Sequence, residues 1–166
     1  MTLADFTSAG LLVPCLEGRN PATILQELTQ ALCREQRVRE YLPFYQAVLH
    51  REFLLSTDLE PGIAFPHARV TGVSELWFAL GRTAIPVAWS PTAAHPVRLV
   101  FLLAVPATDS ASYLRVISGL ARFAREPQLV EQMHAAQDAL QMLAVLRQAS
   151  VRSNPNPDST AQTIPR

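Results

Sequence analysis

The sequence contains no lysine. All fourteen basic residues are arginines, balanced by fourteen acidic residues for a formal net charge of zero. Chemistry through a Schiff-base lysine or a phosphate-loop lysine is thereby excluded. Any anion must be held by guanidinium, imidazole or backbone N–H groups. The zero balance argues against nucleic-acid binding, which shows a basic excess, and against polybasic attachment to a membrane. Cysteine is scarce too: Cys15 and Cys33 form no C-x-x-C pair and are too few for a disulfide framework, so they read as reduced, packed thiols. No apolar run approaches the ~18–20 residues that span a bilayer, and no membrane insertion is expected. The longest, Leu99 to Pro106, suits a buried strand. The N-terminus carries Asp5 and Glu17 and lacks a basic segment ahead of an apolar one. No signal peptide is expected, and the cytoplasm is the default compartment.

What is present is a core. Of 166 residues, 49% are hydrophobic and 17% charged, enough for one domain of roughly 150 residues. No internal repeat occurs. Residues 150–166, SVRSNPNPDSTAQTIPR, are nearly free of core formers and are expected to be a disordered C-terminal tail, leaving a domain of residues 1–149.

Local signals order the elements. Leu11 to Leu16 predicts a first strand. Asn20-Pro21 is an N-cap followed by proline at the first helical position, and Ile24, Leu25, Leu28, Ala31 and Leu32 follow on one face. A second helix is predicted over Pro43 to Arg51. Ser56 to His67, broken by Pro61, Gly62 and Pro66, reads as a loop with a short extended piece. Leu76 to Arg82 and Val97 to Ala104 are the clearest strands, and the alternation of Ile85, Val87 and Trp89 suggests another between them. Asp109 or Ser110 caps a helix whose buried stripe is read as Leu114, Ile117, Leu120 and Ala121. Pro127 opens a short helix, and Gln137 or Asp138 to Arg147 a last one carrying Leu140, Leu143, Ala144 and Leu146. Strand, helices, strands, helices gives an α/β fold: a mixed β-sheet rather than a βαβ repeat.

His67 is the histidine with an unusual setting. It ends Gly62-Ile63-Ala64-Phe65-Pro66-His67. Glycine permits a tight backbone, the apolar residues anchor the segment, and proline fixes φ next to the imidazole. Such a segment presents one side chain rigidly, as a nucleophile in phosphoryl transfer requires; on spacing alone a turn histidine without a role fits equally. His95 reads as a surface residue, His50 as pointing away along its helix, and His134 as a helical residue without metal-ligand spacing. No H-E-x-x-H, paired His/Cys spacing or G-x-S-x-G occurs, so neither a metal nor another cofactor is expected. Trp77 and Trp89 read as packing residues.

Arg51-Glu52, Ser56-Thr57 and Gly62-Ile63-Ala64-Phe65-Pro66-His67 together resemble, in order and spacing, the signature of the mannitol/fructose-type IIA domain of the bacterial phosphoenolpyruvate:sugar phosphotransferase system, which the nitrogen-regulatory IIA proteins share. The resemblance extends through VRLVFLLAVP (97–106) and YLRVISGLARFA (113–124), covering roughly residues 10 to 148. It implies that family's mixed sheet with helices on both faces. It also implies a phosphotransferase acting through a phosphohistidine. His67 would take a phosphoryl group from an HPr-type phosphocarrier, and pass it to a IIB domain or use it as a signal to a regulatory target. Arg51 maps to the arginine near the phosphohistidine. Thr57 and Gly62 belong to the motif, as phosphate donors or as loop-shaping residues. Phe65, bulkier than the usual residue at its position, is expected to narrow the partner groove.

One departure stands out. Where the family usually has a second active-site histidine, this chain has Tyr113, which can donate a hydrogen bond but adds no positive charge. A neutral contact in place of a charge-assisted one costs about 1–2 kcal/mol, roughly tenfold in rate. Tyr113 either belongs to the site or packs in the first turn of its helix. The alternative function is a protein-interaction module that no longer transfers phosphate; the retained Arg51, Thr57, Gly62 and His67 favour the carrier.

Overall fold

The computed structural model describes residues 1–59, 61–91 and 95–152. After two short 3-10 turns (Leu3–Phe6 and Ala9–Leu11), the elements are β1 (Leu12–Leu16), α1 (Pro21–Arg34), α2 (Tyr41–Leu54), β2 (Asp58–Leu59), β3 (Ile63–Ala64) and β4 (His67–Val70). They continue with β5 (Trp77–Val87), β6 (Val97–Pro106), α3 (Ser110–Ala124), α4 (Pro127–Ala135) and α5 (Ala139–Leu146). The six strands form one sheet of order β1-β5-β6-β3-β2, with β4 also on β6. β6 runs antiparallel to β5 and parallel to β3 and β4. This is the mixed sheet expected.

Strand β6 is buried on both faces, which explains its unbroken apolar run. Leu99, Phe101, Leu103 and Val105 join the core beneath α3, α4 and α5; Val100, Leu102 and Ala104 join the core beneath α1 and α2. Phe101 sits between the rings of Phe65, Phe78 and Phe123, at centroid distances of 5.6–5.8 Å. Truncating it to alanine would cost about 3–5 kcal/mol.

The start signals act as read. Asn20 Oδ1 accepts from Thr23 N at 2.9 Å, with Pro21 opening α1. Asp109 and Asp138 cap α3 and α5 through Ser112 N and Gln141 N. Helix α2 is longer than the predicted 43–51. Pro43 falls in its first turn, where an absent N–H costs no intrahelical bond. At the end of α4 the Arg82 guanidinium donates to the carbonyls of Met133, His134 and Ala136, which lack helical partners.

Several assignments are corrected. The stripe of α3 is Val116, Gly119, Leu120 and Phe123; Leu114 is 61% exposed. In α5 the buried residues are Met142, Val145 and Leu146, while Leu140 is exposed. Several apolar residues spread around each helix left its phase open, and the position of the sheet fixes it. Ile85 and Val87 form no separate strand. They continue β5 past an irregularity at which the pairing jumps from Arg82↔Leu99 to Val87↔Val97. Of the two free thiols, Cys15 is exposed rather than packed. Beyond the boundary expected at residue 149, Ser150 bridges to Thr2 and Val151 is buried, its N–H donating to Met1 O. The remainder of the expected tail, residues 153–166, lies outside the described residues. No helix among the described residues is long and apolar enough to cross a membrane.

Candidate functional site

His67 is the first residue of β4, paired in register with Leu103 of the central strand. The backbone brings it there through Gly62, whose φ of +82° belongs to the left-handed region. The Gly62 carbonyl accepts from both Arg98 N (2.8 Å) and Leu99 N (3.2 Å). A Cβ at this position would stand 2.7 Å from Pro96 O. Gly62 is thus a shaping residue: it locks the loop to the start of β6.

The next constraint comes from Glu52, at the end of α2. Its carboxylate accepts from Thr57 N (2.9 Å), from Thr57 Oγ1 (2.9 Å) and from Trp89 Nε1 (2.8 Å). The single hydroxyl proton of Thr57 is committed to Glu52, and Thr57 Oγ1 in turn accepts from Phe65 N at 3.1 Å. Thr57 therefore shapes the loop and has no proton left for a phosphate. Phe65 is buried against Phe101 and faces the core, not a partner groove as expected. Its carbonyl points back to the imidazole.

That carbonyl lies 3.1 Å from His67 Nδ1. A carbonyl only accepts, so the ring proton of neutral His67 sits on Nδ1 and the lone pair on Nε2. The Tyr113 hydroxyl stands 3.4 Å from Nε2, and the two rings are 5.3 Å apart at 45°. Tyr113 also packs, half-buried, against the core below α3. The histidine pKa is pushed down from its ordinary value. Burial is the main cause, and the Arg51 and Arg69 charges act in the same direction. The Phe65 hydrogen bond and the Glu52 charge oppose them. At neutral pH the imidazole is uncharged and can act as a nucleophile through Nε2.

The geometry thus brings His67 and Tyr113 together, while Thr57 acts through the Phe65 N–H and Gly62 holds the loop at the start of β6, four register positions from His67. Arg51 is placed near, as a charge felt by His67, with its guanidinium donating to Leu55 O at the end of α2 (3.0 Å). His50 is exposed on α2 and His95 lies on the surface. His134 is half-buried beside Arg98 and Arg82. Two residues escaped sequence reasoning. Glu52 was seen only as half of the Arg51-Glu52 pair; its link to Trp89, 37 positions away, has no local signal. Arg69 lies two residues beyond the motif. Among the described residues no group of three or more His, Cys, Asp or Glu could hold a metal ion. Beside the site Phe53, Leu54 and Leu55 are 84%, 71% and 65% exposed. They border a cavity of about 370 Å³ that Glu52 and Trp89 also line.

Comparison with known proteins agrees with this architecture. A nitrogen regulatory protein of Bradyrhizobium diazoefficiens is 27% identical over 146 residues, covering 88% of this chain and 95% of its own. The crystal structure of the nitrogen regulatory protein IIA-Ntr from Neisseria meningitidis superposes with a TM-score of 0.79 at 28% identity, covering 87% of this chain and 98% of that one. IIA mannitol of Escherichia coli, solved in complex with phosphorylated IIB mannitol, shares the fold at a TM-score of 0.72 and 19% identity, covering 85% and 96%. The family model of the phosphoenolpyruvate-dependent sugar phosphotransferase system, EIIA 2, matches residues 6–149, and the chain belongs to that family.

Proposed function

We propose that this protein is a phosphocarrier whose phosphoacceptor is His67 Nε2. The observation that carries the reading is the Nδ1 contact with the Phe65 carbonyl, which leaves one nitrogen free on a neutral, rigidly held ring. In the step proposed, the Nε2 lone pair attacks the phosphorus of a phosphohistidine on an HPr-type donor. The new N–P bond forms as the donor's N–P bond breaks. The electron pair of that bond stays on the donor's ring nitrogen, which then takes a proton from solvent. The His67 proton stays on Nδ1 throughout, donated to Phe65 O. Arg51 supplies charge for the phosphoryl oxygens and Tyr113 a single neutral donor. Such transfer depends on positioning and charge more than on covalent chemistry, and the Glu52–Thr57–Phe65 relay supplies the positioning.

The exposed Phe53, Leu54 and Leu55 beside the site suit a protein partner rather than a small substrate. The acceptor is then a IIB domain, as the E. coli IIA mannitol complex exemplifies, or a regulatory target, in keeping with the nitrogen regulatory relative. Such partners place the chain in the cytoplasm.

A second reading is favoured by Tyr113 alone: with no second imidazole at Nε2, the domain signals by binding and does not turn over phosphate. One experiment decides. The protein is mixed with enzyme I, HPr and phosphoenolpyruvate and weighed by mass spectrometry. An acid-labile, base-stable phosphate on the wild type and none on His67→Ala is expected. Absence of label with every cognate HPr refutes the carrier and leaves the binding module.

A further inference from the structure

Arg69 is the candidate the motif does not contain. Residues 67 and 69 of β4 alternate onto the same face of the sheet, so Arg69 and His67 both project towards α3. The Arg69 guanidinium stands 4.7 Å from the centroid of the Tyr113 ring, within cation–π range, and one of its nitrogens donates to Ser110 Oγ at 3.3 Å. Tyr113 leans in turn on the imidazole, its hydroxyl 3.4 Å from Nε2. The three side chains form a row from strand to helix: cation, phenol, nucleophile.

We propose that Arg69 is a positioning residue for phosphoryl transfer at His67, holding the Tyr113 hydroxyl beside Nε2 and adding a second positive charge to that of Arg51. The proposal rests on the reading of His67 as phosphoacceptor. A phosphoryl group brings between one and two negative charges, and this chain has no lysine to meet them. The charged and titratable groups acting on the imidazole are Arg51 and Glu52 from α2, Arg69 from β4 and the phenol of Tyr113 from α3. Glu52 opposes an incoming anion, and Arg51 spends a donor on Leu55 O. The neutral Tyr113 adds no charge, so the second cation is Arg69. Arg69 is exposed, and its charge is screened by water in the free protein. A partner docked over His67 excludes that water and strengthens the same charge at the moment of transfer.

The test compares wild type, Arg69→Met, Arg69→Lys and Tyr113→Ala, and the Arg69→Met/Tyr113→Ala pair. Three quantities are read: phosphorylation rate by phospho-HPr, the NMR titration of His67 in unphosphorylated protein, and the melting temperature. Arg69→Met is expected to slow phosphorylation roughly 3- to 30-fold and to raise the titration midpoint of His67. Arg69→Lys, which keeps the charge, recovers most of both. In the Tyr113→Ala background the Arg69→Met effect shrinks, because the ring through which Arg69 acts is gone. A merely structural Arg69 would lower the melting temperature without moving the titration of His67, and that outcome overturns the proposal. So does a labelled wild type whose rate is unchanged by Arg69→Met. A wild type that takes no phosphate overturns the phosphoacceptor reading and this one with it.

Discussion

The Phe65 carbonyl and the His67 ring lie two residues apart in sequence and 3.1 Å apart in space, and that contact determines which imidazole nitrogen is free. It persists because the Phe65 N–H is itself fixed by Thr57, which Glu52 fixes in turn. The His67 imidazole is oriented by a relay of backbone and side-chain groups that begins at the end of α2.

The relay makes Glu52 a structural and functional lever. Glu52→Ala leaves the Trp89 indole N–H and the Thr57 N–H without their acceptor. A loss of about 2 kcal/mol is expected in urea unfolding. Phosphoryl transfer should slow beyond what that loss explains, since the folded fraction stays near one. Stability within error of wild type would show that the relay is dispensable.

Gly62→Ala tests the loop from its other end. A side chain at φ +82° costs about 1–3 kcal/mol, and the added Cβ meets Pro96 O as well. The melting temperature should drop, with His67 displaced and phosphorylation slowed. An alanine accepted without loss would mean that the backbone at Gly62 is not constrained as described.

The pH dependence follows from the direction of the histidine shift. Neutral imidazole is the reactive form, and burial holds His67 below its ordinary pKa, aided by Arg51 and Arg69. Transfer by a donor kept fully phosphorylated should therefore stay level as pH falls through about 6.5, the unperturbed value, and decline only below it. Stability follows the same proton. The unfolded chain protonates first, so stability falls as pH drops through about 6.5, and His134, half-buried beside Arg98 and Arg82, adds to the fall. His67→Gln should lose less stability than wild type over that interval in urea titrations at each pH. An identical loss would mean that the His67 pKa is not depressed.

Tyr113→His restores an ionisable ring next to Nε2. Phosphorylation should speed by roughly tenfold, the worth of a charge-assisted contact over a neutral one. Stopped-flow or quench measurement of the label gives the rate. An unchanged rate would place Tyr113 outside the path of the phosphoryl group, despite its 3.4 Å approach to Nε2.

Much of this was legible in the chain itself. The Gly62-to-His67 segment, the Arg51-Glu52 pair and the unbroken apolar run of β6 are local patterns, and local chemistry suffices to read them. Asn20, Asp109 and Asp138 announce their helices because a cap is made within one turn. Helical phase was harder. Leu114 and Leu140 read as core residues but are exposed, because several apolar residues on each helix compete for the face that only the sheet selects. Phe65 read as a groove residue, yet lies against Phe101 of β6, a contact between residues 36 positions apart. Neither the Trp89 bond to Glu52 nor the stacking of Arg69 on Tyr113 has any sequence-local sign; both exist only once the strands are paired.

The central claim is that His67 Nε2 carries the phosphoryl group. It is tested most directly by 15N NMR of the histidine-labelled protein before and after phosphorylation by phospho-HPr. The account predicts that one histidine, His67, is modified, with phosphorus on Nε2 and the proton still on Nδ1. His50, His95 and His134 remain unmodified. Phosphorus on Nδ1, or on any other histidine, or none on His67, would contradict it.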